Sequence, residues 1–170
     1  MPAYVALLRA VNVGGTATLA MADLKRLCEA AGFTRVATVI QSGNVVFASR
    51  LGAAKAKAVL EAALAAHMGK PCRAMLRSAA EIADVLRRNP FARQPPNRVI
   101  VAFLDEAAPP DALAAMVAPG GEAVQISGRE VFVYYPDGQG RSKLKLPLLA
   151  SGTGRNINTV AKLAAMAAAL

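Results

Sequence analysis

Val36-Ala37-Thr38-Val39-Ile40-Gln41-Ser42-Gly43-Asn44-Val45-Val46-Phe47-Ala48 is the stretch that decides the fold class. Val36 to Gln41 and Val45 to Ala48 are rich in β-branched and apolar residues. They flank Ser42-Gly43-Asn44, where glycine supplies a tight turn, so the stretch predicts a β-hairpin. Upstream, Met21, Leu24, Leu27, Cys28 and Ala31 recur at helical spacing, with Gly32 as a stop signal. Before that helix, Tyr4 to Arg9 reads as a buried strand. Downstream, Ala53 to Met68 is alanine-rich and helical up to Gly69, and Cys72 to Arg77 reads as a strand. The order over residues 4–77 is therefore β-α-β-β-α-β, the ferredoxin-like or α/β-plait pattern.

The rest of the chain partly repeats that order. Ala79 to Arg88 predicts a helix stopped by Asn89-Pro90, and Asn89 to Asn97 a proline-punctuated loop. A strand over Arg98 to Leu104 follows, then Pro109-Pro110 and a helix to about Ala118. Glu122 to Ile126 and Glu130 to Tyr135 predict a second hairpin across Ser127-Gly128-Arg129. The long stretch Pro136 to Arg155 carries no clear strand. Asn158 is the expected cap of a last helix with Val160, Leu163, Ala164 and Ala167 on one face. The fold expected is α+β, with two α/β-plait (ferredoxin-like) halves over residues 1–77 and 78–170, the second incomplete.

Composition narrows the function classes. The chain has 170 residues and a net charge of +9, with one His, two Cys and no Trp. That inventory cannot build a His/Cys zinc site of the usual kind, and no metal or cofactor is called for. The first residues read as a strand rather than a signal peptide, and no run reaches the roughly 18 apolar residues that span a bilayer. Cys28 and Cys72 stand far apart without a C-x-x-C pattern and read as buried thiols. These features predict a cytoplasmic protein without membrane contact, and they specify no oligomeric state.

The charge is unevenly placed. Residues 138–170 hold Arg141, Lys143, Lys145, Arg155 and Lys162 and no acid, a local +5, whereas the first 137 residues carry +4. Four loops are rich in Gly, Asn, Ser and Arg: Arg9 to Gly15, Gln41 to Asn44, Gly138 to Lys145 and Gly152 to Thr159. Gly14-Gly15 is a turn or a phosphate cradle, without P-loop spacing. Ser42-Gly43-Asn44 is a hairpin turn or a binding loop. A basic loop running into a helix N-terminus suits an anion, with Arg155 able to add bidentate hydrogen bonds; the alternative is a solvated basic surface with an ordinary cap. The expected cleft has Arg9, Asn12, Gly14, Gly15, Ser42 and Asn44 from the first half and Arg141, Ser142, Lys143, Arg155, Asn156 and Asn158 from the second.

These segments also carry a resemblance. Tyr4-Val5-Ala6-Leu7-Leu8-Arg9-Ala10-Val11-Asn12-Val13-Gly14-Gly15 and Thr38-Val39-Ile40-Gln41-Ser42-Gly43-Asn44-Val45-Val46-Phe47 resemble blocks of the domain of unknown function 1697 family. So do Asn89-Pro90-Phe91, Tyr135-Pro136-x-Gly138-x-Gly140-x-Ser142-Lys143-Leu144 and Arg155-Asn156-x-Asn158-Thr159-Val160-x-Lys162-Leu163. The resemblance implies two plait-like halves and supplies no activity. It also implies Gly where Ala10 stands, an aromatic, often Trp, where Ile157 stands, and a Glu between Leu146 and Ser151. This chain has none of the three.

No catalytic constellation is recognisable. His67 sits at a predicted helix end, Ser42 and Ser142 lack an evident base, and only Asp23 and Asp137 border loops as metal-capable acids. Tyr4, Phe47, Phe103, Phe132, Tyr134 and Tyr135 fall in or beside predicted strands and read as core rather than as base-stacking platforms. The function expected is binding of a phosphate-bearing small molecule or a nucleic-acid backbone in a basic cleft. The alternatives are an oligomerising or protein-interaction module, and an enzyme acting on a phosphorylated substrate by positioning without a metal.

Overall fold

The computed structural model describes residues 1–9, 18–39 and 43–170. The chain divides into two compact units, Met1–Ala83 with Lys162–Leu170, and Asp84–Ala161. The first contains β1 (Ala3–Leu8), α1 (Met21–Ala30), β2 (Thr34–Val39), β3 (Asn44–Ala48), α2 (Ala53–Met68) and β4 (Ala74–Ser78). Its antiparallel sheet has the order β2-β3-β1-β4. The two helices carry the chain between strands that are not neighbours, which is the plait arrangement.

Alternation along β1 sends Tyr4, Ala6 and Leu8 to one face. There they pack with Val45 and Phe47 of β3, Leu24 and Cys28 of α1, and Leu60 and Leu64 of α2, all buried. The Phe33 and Phe47 rings stack at 4.1 Å, and the Tyr4 hydroxyl donates to the Leu51 carbonyl at 2.8 Å. Val5, Leu7, Val46 and Met75, on the opposite face, are buried too. The α2 helix ends where expected, because Gly69 adopts φ +72° and its N–H donates to the Ala65 carbonyl. Glu61 ties α2 to β4: Oε2 accepts from Lys57 Nζ at 2.8 Å and from the Ala74 N–H at 3.0 Å. Helix α3 (Ala79–Arg87) starts at a reciprocal capping box. The Ser78 N–H donates to Glu81 Oε1 at 2.8 Å, and the Glu81 N–H donates to Ser78 Oγ at 3.1 Å.

The second unit holds β5 (Val99–Phe103), β6 (Ala123–Ser127), β7 (Glu130–Tyr134) and β8 (Thr153–Asn156). Helix α4 (Ile157–Ala168) follows β8. The sheet order β6-β7-β5-β8 repeats that of the first sheet, again antiparallel. The fold is α+β with two plait-like halves, as expected, and the second half departs from the full pattern in a particular way. Its fourth strand, which the sequence did not signal, is present. The helix expected after Pro109-Pro110 is absent: Ala112, Ala114 and Met116 N–H groups bond three residues back, to Pro109, Asp111 and Leu113, as consecutive turns. Val117 then pairs both ways with Lys145, at 2.9 and 2.8 Å, which pulls its backbone out of any helix. Between β7 and β8 the chain makes two short 3₁₀ segments, Gln139–Arg141 and Pro147–Ser151, besides the Lys145 bridge. One sheet face is covered instead by side chains of these segments. Met116, Leu144, Leu146, Leu148 and Leu149 pack on Ala102, Leu104, Val131 and Val133.

Arg88 pins the turn of the β6–β7 hairpin. Its guanidinium donates to Asp84 Oδ2 at 2.7 Å, to Ser127 Oγ at 2.7 Å and to Glu130 Oε1 at 2.5 Å. A planar five-donor group suits three acceptors spread over a helix end and two strand ends.

Candidate functional site

The hairpin opens at the end opposite its Arg88-bound turn, where Ala123 faces Tyr134 in the ladder. Beyond this pair the chain enters through Pro119–Glu122 and leaves through Tyr135–Gly138. These two passages and the Arg141–Lys143 segment line a half-open cavity of about 180 Å³. Arg141, Ser142 and Lys143, three of the residues expected in a basic cleft, line it together with Glu122, Tyr135 and Asp137.

Local chemistry builds the wall. The Gly138 N–H donates to the Tyr135 carbonyl at 3.0 Å, closing a turn with Gly138 at φ +84°. A side chain there would be strained, and its Cβ would lie 3.2 Å from the Arg98 guanidinium. That guanidinium donates to the Pro136 carbonyl at 3.1 Å and so supports the turn from beneath. Ser142 Oγ accepts the Leu144 N–H at 3.1 Å, a local turn that orients the basic segment. In the Pro119–Glu122 passage, Glu122 Oε1 accepts the Gly120 N–H at 3.0 Å. Tyr135 is 5% exposed, and burial, then the Glu122 carboxylate, pushes its phenol up, so it stays a neutral donor at pH 7. Arg141, Lys143 and Asp137 are exposed and make no ion pair among the described residues.

Among the described residues, no other expected site residue lines this cavity. Arg155, in β8, faces Val101 in the register, so alternation turns it away from the face that Ala102 and Leu104 share. It is 6% exposed and donates to Thr153 Oγ1 at 2.6 Å and to the Gly154 carbonyl at 2.9 Å. Burial pushes its guanidinium down to about 10, and it remains a cation at neutral pH. Asn156, not Asn158, caps α4: its Oδ1 accepts the Asn158 N–H at 2.8 Å. The cap sits two residues earlier than expected because β8 runs directly into the helix. Neither residue lines the cavity, nor does Arg155.

In the first unit, Arg9 follows β1, half-buried, with its N–H bonded to the Arg73 carbonyl at 2.9 Å. Asn44 is fully buried, and its amide donates to the Val39 carbonyl at 3.0 Å, holding the base of the first hairpin. Asn12, Gly14, Gly15 and Ser42 lie outside the described residues.

Glu122, Tyr135 and the Pro119-Gly120 passage were not singled out by the sequence as site residues. The signal that could have found them is their position at the two chain ends of one hairpin, beside glycine pairs or a Pro-x-Gly turn. Five of the six strand-associated aromatics are buried core residues: Tyr4, Phe47, Phe103, Phe132 and Tyr135. They offer no open stacking platform. Among the described residues no group of three or more His, Cys, Asp and Glu could hold a metal ion. No helix there is long and apolar enough to cross a membrane.

No curated protein matches the chain. Among solved structures, a conserved bacterial protein from Streptococcus pneumoniae is similar to it, with a TM-score of 0.81 and 25% sequence identity over 97% of this chain and 98% of that one. Residues 1–132 match the family described as protein of unknown function (DUF1697). That match covers most of the chain, from β1 into β7, and the blocks quoted from the first hairpin: the chain belongs to the DUF1697 family.

Proposed function

We propose that this protein binds a small phosphate-bearing ligand in the cavity at the open end of the β6–β7 hairpin. The observation that carries the reading is the pair Arg141 and Lys143, both lining that cavity without an ion-pair partner among the described residues. Lys55, Arg93 and Lys145 likewise make no ion pair among the described residues, and what sets Arg141 and Lys143 apart is that both line a cavity. An unmatched guanidinium and ammonium beside a hydroxyl suit a phosphate, which accepts several charge-assisted hydrogen bonds. The volume favours a small molecule, because drug-sized ligands occupy about 300–1,000 Å³.

The basic segment 138–170, with its +5, supports a nucleic-acid backbone as a second reading. Titration calorimetry at low salt with glycerol phosphate, and filter binding of mixed-sequence RNA and DNA at two salt concentrations, separate the two. The small-ligand reading expects saturable glycerol phosphate binding, lost in Arg141→Gln/Lys143→Gln, with nucleic acid retained weakly or not at all. Absence of glycerol phosphate binding would refute it. Tight, salt-dependent retention of nucleic acid would put the backbone reading in its place.

A further inference from the structure

We propose that the ligand of this cavity carries a cationic amine as well as its phosphate, so that its chemical class is an aminoalkyl phosphate. The proposal rests on the phosphate reading above and goes beyond it by assigning work to the two carboxylates. Glu122 and Asp137 line the same small space as Arg141 and Lys143. A site for a bare anion gains nothing from two carboxylates, since each repels the bound charge at short range. Nor are they present to neutralise the cations. Asp137 pairs with neither Arg141 nor Lys143, and the one hydrogen bond to the Glu122 carboxylate is from the Gly120 N–H to Oε1, so Oε2, which lies over the Gly120 Cα, makes no hydrogen bond among the described residues.

Opposite charges that share a cavity without meeting are arranged for a molecule that bridges them. The phosphate then sits against Arg141 and Lys143, and the ammonium donates to Glu122 Oε2 and Asp137. Tyr135 supports this division. Its phenol has no hydrogen-bond partner among the described residues, and it lies beside Glu122 as a neutral donor to a phosphate ester oxygen. A space of about 180 Å³ suits a phosphate and a chain of a few carbons.

Calorimetry on the full chain tests this with O-phosphoethanolamine, glycerol phosphate and inorganic phosphate as probes. Phosphoethanolamine is expected to bind about tenfold more tightly than glycerol phosphate, the worth of one charge-assisted hydrogen bond. Glu122→Gln is expected to erase that preference. Asp137→Ser, at an exposed position, provides a second variant should the first lose its fold, which its melting curve reports. Equal affinity of the wild type for the two esters overturns the amine assignment and leaves the phosphate reading standing. A preference that survives in both folded variants overturns the assignment of Glu122 and Asp137. Failure of glycerol phosphate to bind removes the phosphate reading and this proposal with it.

Discussion

Replacing Arg88 by Met should destabilise the second unit by a measurable and specific amount. Arg88 is the hub of the hairpin turn, donating to Ser127 Oγ at 2.7 Å and Glu130 Oε1 at 2.5 Å. The Glu130 side chain is 5% exposed, whereas that of Arg88 is 31% exposed. Methionine keeps the aliphatic stem and removes the charge. Breaking a buried pair by removing one partner costs about 3–5 kcal/mol, because the remaining charge stays desolvated. Partial exposure of Arg88 lets water approach Glu130 once the guanidinium is gone, which places the cost at the lower end, about 3 kcal/mol. For a chain of this length that corresponds to a fall of roughly 6–12 °C in Tm. Urea unfolding of Arg88→Met, Glu130→Gln and the double variant measures it. The double variant should lose at least about 1 kcal/mol less than the two single effects added, since a neutral glutamine in place of Glu130 needs no cation. A loss below about 1 kcal/mol in Arg88→Met, or strict additivity, would refute the claim that Glu130 is held as a buried anion by Arg88.

Three further outcomes are expected. Hydrogen bonds from Arg88, and then Arg87, hold the Asp84 carboxyl below the usual carboxylate range. Its stabilising effect is therefore complete above the unfolded-state value of about 4 and is lost as pH falls through the lower folded-state value. Acid unfolding curves should show that loss in the wild type and a shallower one in Asp84→Asn; identical curves would contradict it. Burial pushes the Cys28 thiol up to about 12 and also raises Cys72, so a thiol reagent near pH 8 should label neither until the protein unfolds. Rapid stoichiometric labelling of native protein would oppose this. A Cβ at Gly152 would lie 2.7 Å from the Phe103 carbonyl oxygen, so Gly152→Ala must displace β8 or β5 and should cost about 1–3 kcal/mol by thermal melting. An unchanged Tm would show that the two strands are not so closely apposed.

The elements that were legible in the sequence are those whose cause is local. The bounds of α2 follow from its alanine run and Gly69, and the buried face of α4 from the spacing of Val160, Leu163, Ala164 and Ala167. Both hairpins are signalled by β-branched runs around a glycine. The Ser78–Glu81 capping box was equally local, and its S-x-x-E pattern was there to be found. The segment after Pro110 shows where propensity misleads. Its alanines favour helix, but a run this short does not hold a helix without a packed face. The bridge between Val117 and Lys145 takes the backbone hydrogen bonds instead.

The amino-acid order thus determined the repeated strand-helix-hairpin plan, the family and the basic C-terminal segment, because periodicity, turn chemistry and charge are properties of neighbouring residues. Tertiary structure alone decided β8, since Thr153-Gly154-Arg155-Asn156 has no strand pattern and becomes a strand only by pairing with β5, far away in the chain. The same pairing register buries Arg155 and removes it from the cavity that Arg141 and Lys143 line. It was likewise the closing of the β6–β7 hairpin that brought Glu122 to the same cavity as Tyr135 and Asp137. Long-range hydrogen-bond ladders choose their partners by what the rest of the fold leaves available, and no local pattern encodes that choice.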